Sequence, residues 1–321
     1  MRAARITRRQ QNSLTSLHEA AGNLRQKYAA PDVLRTHARP VTTSSREAQW
    51  RNAAGRQLNL GAALLSLSVL ADSGVEHYRG SFQNRAMYVP LGVSALALAA
   101  SLFGVVDTRA RSHVLRDGLY GLAAMTGVIG LGFHGYNILK RPGRFSWLNL
   151  FYAAPLGAPV ALLLAGALGR GAEKVREDRS SRILGHPAGQ TLGLLTSAGL
   201  AGTVAEAGLL HFRGAFQNPG MFLPITLPPV AAGLLAGSVI NSGKVLRRAA
   251  KTCLTLTALL GFAGIAFHAY GVSRSMGGWR NWSQNLLGGP PLPAPPSFTG
   301  LALAGLAALS LVDKEQRSPS T

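Results

Sequence analysis

The 321-residue sequence holds a single cysteine, Cys253. A lone thiol can close no intramolecular disulfide and supply no thiolate cluster, so a small disulfide-stapled scaffold is excluded. Charge is scarce as well: 14% of the residues are Asp, Glu, Lys or Arg, against about 25% in a soluble globular chain. Acidic residues are scarcest, 13 against 33 Lys and Arg, while 47% of the chain is apolar. That apolar content excludes disorder. Motifs of soluble enzymology are lacking too. No nucleotide-binding Gly-rich loop follows a strand, no Ser-His-Asp order has supporting context, and neither His-Glu-x-x-His nor Cys-x-x-Cys occurs. No catalytic residue is assigned from the sequence.

What is present is a series of long uncharged stretches separated by short charged clusters. In a soluble protein the net charge of +20 would suggest a nucleic-acid partner. Here the basic residues fall between apolar segments, where they act as topology signals, and no nucleic-acid partner is expected. The segments lie at about Leu58–Tyr78, Val89–Val106, Leu119–Leu139, Leu150–Leu168, Thr191–His211, Phe222–Ile240, Cys253–Val272 and Leu292–Val312. Each has about the length a helix needs to cross a ~30 Å hydrocarbon core, roughly 17–25 residues. The sequence therefore predicts an all-α integral membrane protein with eight transmembrane helices in contact with the lipid bilayer.

Orientation follows from Lys and Arg near the segment ends. With the N-terminus inside, the inner loops hold Arg109, Arg111 and Arg116, then Arg170, Lys174, Arg176, Arg179 and Arg182, then Lys244, Arg247, Arg248 and Lys251. The opposite loops hold fewer. This bias predicts both termini on the cytoplasmic side of a bacterial inner membrane. Tyr78, Tyr88, Trp147, Phe212, Phe222, Trp279 and Trp282 gather at the predicted outer boundary, where amphipathic rings sit well. Residues 1–57 are basic and polar and contain no apolar run of signal-peptide type. Ser16 and Glu19 have capping-box spacing, and Leu14, Leu17, Ala21, Leu24 and Tyr28 recur at helical spacing, but a solvated tail is the simpler expectation.

The most informative feature is self-similarity. Gly74-Val75-Glu76-His77-Tyr78-Arg79-Gly80-Ser81-Phe82-Gln83-Asn84 returns as Gly208-Leu209-Leu210-His211-Phe212-Arg213-Gly214-Ala215-Phe216-Gln217-Asn218, 134 positions on. At the same shift Gly127, Gly130, Phe133, His134 and Tyr136 return as Gly261, Gly264, Phe267, His268 and Tyr270. After a short insertion Asn149 and Pro155 return as Asn285 and Pro291. This register predicts two parallel four-helix repeats, residues 58–169 and 191–312, joined by a cytoplasmic linker at 170–190 and followed by a cytoplasmic tail at 313–321. An even helix count gives both units one orientation, so a pseudo-twofold axis is expected along the membrane normal.

Four of the eight histidines belong to the repeat: His77, His134, His211 and His268. Their positions predict imidazoles at similar depth near the outer face. One or two turns deeper stand Asp72 and Glu206, again at equivalent positions, and a carboxyl inside a membrane helix is costly enough to mark a site by default. They are candidate proton-linked groups or hydrogen-bonding supports for the imidazoles. Paired helical histidines resemble those of membrane b-type cytochromes, and this resemblance implies haem b, or another metal, held between His77 and His134 and between His211 and His268. Gly127, Gly130, Gly261 and Gly264 would then supply room for the macrocycle, and Arg79 and Arg213 charge for its propionates. That reading makes the protein the membrane subunit of a redox assembly with a periplasmic or membrane redox partner. The alternatives are a small-solute or proton-coupled transporter, for which the Pro224–Pro229 stretch would be a broken helix, and a non-catalytic anchor for a periplasmic partner.

Overall fold

The computed structural model describes residues 45–109, 111–152, 155–177, 182–241 and 243–316. The expected tail at 1–44, the helical spacing within it, Arg179 and the last five residues lie outside these. Among the described residues the chain is helical, with one small exception. The helices are α1 (Ser45–Arg79), α2 (Val89–Val106), α3 (Val114–Leu139), α4 (Trp147–Tyr152), α5 (Gly157–Glu177), α6 (Ala188–Arg213), α7 (Leu223–Ile240), α8 (Lys244–Arg274), α9 (Trp282–Gly288) and α10 (Pro296–Glu315). A two-strand antiparallel ribbon, Arg182–Ile183 with His186–Pro187, separates α5 from α6.

Seven of these helices, α1, α2, α3, α6, α7, α8 and α10, are long and apolar enough to cross a membrane. An all-α, multi-pass membrane protein is the consequence. The remaining long helix, α5, has 21 residues but carries Arg170, Glu173, Lys174, Arg176 and Glu177 toward its end.

Several helix bounds differ from those read by hydropathy, each for an identifiable reason. Helix α1 starts at Ser45, well before Leu58, because Arg51 and Ala54 are buried against the rest of the bundle, so tertiary contact extends a polar stretch as helix. Helix α8 starts at Lys244 rather than Cys253, and there Arg247 and Lys251 pair with Asp313 of α10. The stretch from Leu150 is split: α4 ends at Tyr152, and α5 begins at Gly157, after Pro155. Helix α10 begins at Pro296, where proline loses no helical hydrogen bond. Helix α7 runs unbroken through Pro228 and Pro229. These prolines sit in the early part of the helix, between α6 and α8, and such positions tolerate a missing N–H donor. The unwound segment expected for a transporter is therefore not found at Pro224–Pro229.

Residues 46–321 form one unit. Helix α3 packs chiefly on α5 and α2, and α8 chiefly on α10 and α7. The membrane-length window of α10 is 72% buried, whereas those of α3 and α8 are each 17% buried, so α10 lies inside the bundle and α3 and α8 lie on its outside. The main core joins Leu58, Ala62 and Leu65 of α1 with Leu168 of α5, Leu200 of α6 and Leu301, Ala304 and Ala308 of α10. Close backbone approach makes this possible. A side chain at Gly61 would meet the Gly300 carbonyl, and one at Gly300 the Gly61 carbonyl. In lipid, where hydrophobic drive between helices is missing, such small-residue seams supply the packing.

Candidate functional site

The four repeated histidines sit at one end of the bundle, each in the last turns of its helix, and each has the same kind of partner. His77 donates from Nδ1 to the Met87 carbonyl at 2.7 Å, and His211 to the Met221 carbonyl at 2.8 Å. His134 bonds the Pro155 carbonyl, and His268 the Pro291 carbonyl at 2.7 Å. A carbonyl can only accept, so Nδ1 carries a proton, and Nε2 is the nitrogen that has a lone pair whenever the ring is neutral. His134 is an electrostatic neighbour of His77, and His268 of His211.

The segment that follows each first helix repeats in equal detail. Ser81 and Phe82 have φ of 56° and 45°, and Ala215 and Phe216 have 55° and 45°. Left-handed backbone is costly for residues other than glycine, so surrounding contacts must hold it. They do: Phe82 N–H donates to the His77 carbonyl and Phe216 N–H to the His211 carbonyl, at 3.0 and 3.1 Å. Asn84 accepts from Ala86 N–H at 2.9 Å, and Asn218 from Gly220 N–H at 2.8 Å. Phe82 stacks on Tyr88 at 4.3 Å, and Phe216 on Phe222 at 4.6 Å. Asn149 and Asn285 each donate to two carbonyls of the loop after the third helix. Tyr78, Tyr88, Trp147, Phe212 and Trp282 remain exposed at this end.

The expected supports behave otherwise. Asp72 has Glu206 and Glu76 as its electrostatic neighbours, and Glu206 accepts the Gly157 N–H that opens α5, at 3.1 Å. The histidine Nδ1 partners are backbone carbonyls and not these carboxyls. Arg79 pairs with Glu76 at 2.7 Å, and the Arg213 guanidinium lies over the Tyr152 ring at 5.3 Å. The room expected beside the repeated glycines is filled. Gly127 faces the Pro159 carbonyl and the Leu163 backbone, Gly130 the Pro159 ring, Gly261 the Pro295 carbonyl and Thr299, and Gly264 the Pro295 ring. Those glycines seat α5 and the start of α10 and leave no slot for a macrocycle there. A shallow, open apolar groove lies on the exposed face of α3, along Ile129, Gly132, Phe133 and Tyr136. Among the described residues no three His, Cys, Asp or Glu converge as a metal site.

A second polar centre, at the opposite end of the first four helices, escapes a reading by hydropathy. Arg116 of α3 spans two carboxylates, donating to Asp107 at 2.8 Å and to Glu173 at 2.9 and 3.0 Å. All three side chains are at most 4% exposed. Arg109 bonds Asp107 from its backbone and its side chain, both at 3.0 Å. Glu173 also accepts the His113 N–H at 2.7 Å, Tyr120 donates to Asn59 at 2.5 Å, and Arg176, fully buried, donates to the Gly104 carbonyl at 2.6 Å. Burial alone would raise the Asp107 carboxyl, but the Arg109 N–H and the Arg109 and Arg116 guanidinium groups hold it well below the usual carboxylate range. Burial, and then the Arg116 charge, push the His113 imidazole down from its ordinary value of 6.5.

This centre was readable in principle. At a shift of 134 positions Asp107, Arg116, Tyr120 and Asn59 align in sequence with Asn241, Ala250, Leu254 and Gly193, and at a shift of 136 Glu173 and Arg176 align with Leu309 and Val312. A charged set aligned, at this shift of the sequence, with an uncharged one is the available signal. No protein-family model, curated protein or solved structure matches the chain.

Proposed function

We propose that the protein is an anchoring subunit of a bacterial inner membrane, built from two duplicated four-helix halves related by a pseudo-twofold axis, that presents a rigid outer cap to an extracytoplasmic partner. One observation carries the reading. The loop after the first helix keeps a strained, non-glycine left-handed pair twice, at Ser81–Phe82 and Ala215–Phe216, and a histidine anchors it each time. Strain of this kind persists where a surface must hold one shape. The exposed aromatic rings around it suit the core of an interface. Helix α5 joins the seven apolar helices as the eighth span, its charges at the cytoplasmic boundary.

The test is a photo-crosslinking residue in place of Tyr88 or Phe222, with Leu122 on the outward face of α3 as the control. A discrete protein adduct from the two cap positions and none from Leu122 supports an anchoring role; lipid adducts alone at all three positions refute it. Topology is tested with cysteines at Ser81 and Ala215 of a Cys253→Ser background, which impermeant reagents should label from the same side. Labelling from opposite sides would end the parallel-halves reading.

A redox role for the same end rests on the imidazole pairs, whose Nε2 lone pairs are left free by the Nδ1 bonds. His77 with His134, and His211 with His268, would be the ligands, and haem would supply one-electron transfer. The filled glycine notches count against it. A reduced-minus-oxidised haem spectrum of the purified protein would restore this reading, and its absence after haem supplementation during expression would remove it.

A further inference from the structure

We infer that Arg144, in the loop between α3 and α4, is the central cation with which the outer cap grips the carboxylates of an acidic protein partner. This rests on the anchoring role proposed above and names the chemistry of the surface that the cap would hold.

The turn that carries Arg144 is built twice. Arg144 N–H donates to the Arg141 carbonyl at 2.9 Å, and Gly278 N–H to the Ser275 carbonyl at 2.8 Å. Asn149 donates to the Pro142 and Arg144 carbonyls at 3.0 and 2.7 Å, and Asn285 to the Met276 and Gly278 carbonyls at 3.1 and 2.8 Å. Both turns pass through left-handed backbone, with φ of 82° and 46° at Gly143 and Arg144 and of 79° and 52° at Gly277 and Gly278. One turn therefore places arginine where the other places glycine. Left-handed backbone is free for glycine and costly for a residue with a side chain, so the fold would close this turn more easily without Arg144. Its side chain is exposed and makes no ion pair among the described residues. A cost that the fold does not recover belongs to an outside contact.

The surroundings define that contact. The segments 80–88, 140–157, 212–222 and 273–295, which close this end of the bundle, hold Arg85, Lys140, Arg141, Arg144, Arg213, Arg274 and Arg280 but neither Asp nor Glu. All of these cations are exposed, and none pairs with a carboxylate among the described residues. At the opposite end carboxylates are supplied: Arg109 pairs with Asp107, Arg170 with Asp117, Lys174 with Glu177 and Lys251 with Asp313. A cationic face without internal counter-charge steers and orients an anionic one. Phe145, Trp147 and Leu148 flank Arg144 and are 67%, 73% and 70% exposed, and arginine beside an aromatic anchor is the composition of an interface hot spot. The fixed turn favours a folded partner over lipid headgroups. A mobile phosphate can be met by any flexible cation at a helix end, whereas carboxylates on a folded surface reward a guanidinium held in place beforehand.

The experiment places a photo-crosslinking residue at Phe145 of the full chain in intact bacterial cells and compares the parent with Arg144→Gly and Arg144→Asn. Glycine and asparagine both accept left-handed backbone, so each variant should keep the parent's Tm in detergent. The parent should give a discrete protein adduct whose crosslinked peptide is rich in Asp and Glu, and both variants should lose it by about tenfold or more. An adduct unchanged by both substitutions, or a crosslinked peptide without acidic residues, overturns the inference and leaves the anchoring role standing. So does a protein adduct at Tyr88 and Phe222 with phospholipid alone at Phe145, which would assign Arg144 to the headgroup layer. A lowered Tm in Arg144→Gly would show that the side chain serves the fold and would overturn the inference as well. Phospholipid adducts alone at all three positions would remove the anchoring role itself.

Discussion

The two ends of the bundle make a controlled comparison. At the histidine end both sets of helices keep the same bonds, from His77 and His211 to Met87 and Met221, and from His134 and His268 to Pro155 and Pro291. At the arginine end they part company: the first set buries Asp107, Arg116, Glu173 and Arg176, and the second buries Ala250, Leu309 and Val312. One architecture tolerates both solutions at one end and only one at the other. Identical polar detail marks a constraint that acts on both copies, whereas divergence marks freedom, or a task given to a single copy.

The largest effect should come from unpairing the arginine end. Glu173→Ala strips Arg116 of one of its two buried partners, and breaking such a pair from one side costs about 3–5 kcal/mol. Asp313→Ala, which frees the more accessible Arg247 and Lys251, should cost only about 1–2 kcal/mol. Thermal unfolding of both variants in one detergent measures the gap, and similar losses would erase the distinction between the sets.

Next in size are the helix seams. Gly127→Leu and Gly261→Leu each push a side chain into the facing backbone, with overpacking costs of about 1–3 kcal/mol. Gly135→Leu meets open space and should be near neutral. If the sets are equivalent at this level, the first two variants lose similar amounts of Tm.

Smaller again are the loop tethers. His134→Ala and His268→Ala each remove one hydrogen bond, worth about 0.5–1.5 kcal/mol, and the two losses should match. Hydrogen exchange at the amides of Leu156, Gly157 and Leu292 would report the loosened carbonyl segments. Unequal protection would show that the histidine end is less alike than its bond pattern.

Acidification should separate the ends with the smallest effect of all. His113 titrates below its ordinary value when folded, so its contribution is complete above about pH 6.5 and is lost as pH falls through the lowered value. Asp107 is also depressed, so its contribution holds above about pH 4 and disappears only in stronger acid. Stability should therefore begin to sag as pH falls below about 6.5, and His113→Asn should flatten that portion of the curve without altering the fall below about pH 4.

Much of the histidine end was legible in the residues. A shift of 134 aligns His77 with His211 in the sequence, and in the structure His268 reaches Pro291 as His134 reaches Pro155. What the glycines do was not legible. Gly127 and Gly261 read equally well as space for a cofactor or as seats for a neighbouring helix, and only the approach of Pro159 and Pro295 decides for the second.

The sequence by itself determined the class of the protein, an apolar helical chain for the bilayer, because hydropathy and helix length are properties of one segment at a time. It determined as well which residues recur, since register needs only the order of the chain. Which polar groups meet was decided by tertiary structure alone. Arg116 finds Glu173 across 57 positions and Tyr120 finds Asn59 across 61. In a low-dielectric interior, contacts of that range set whether a charge is a loop marker facing water or one member of a buried centre.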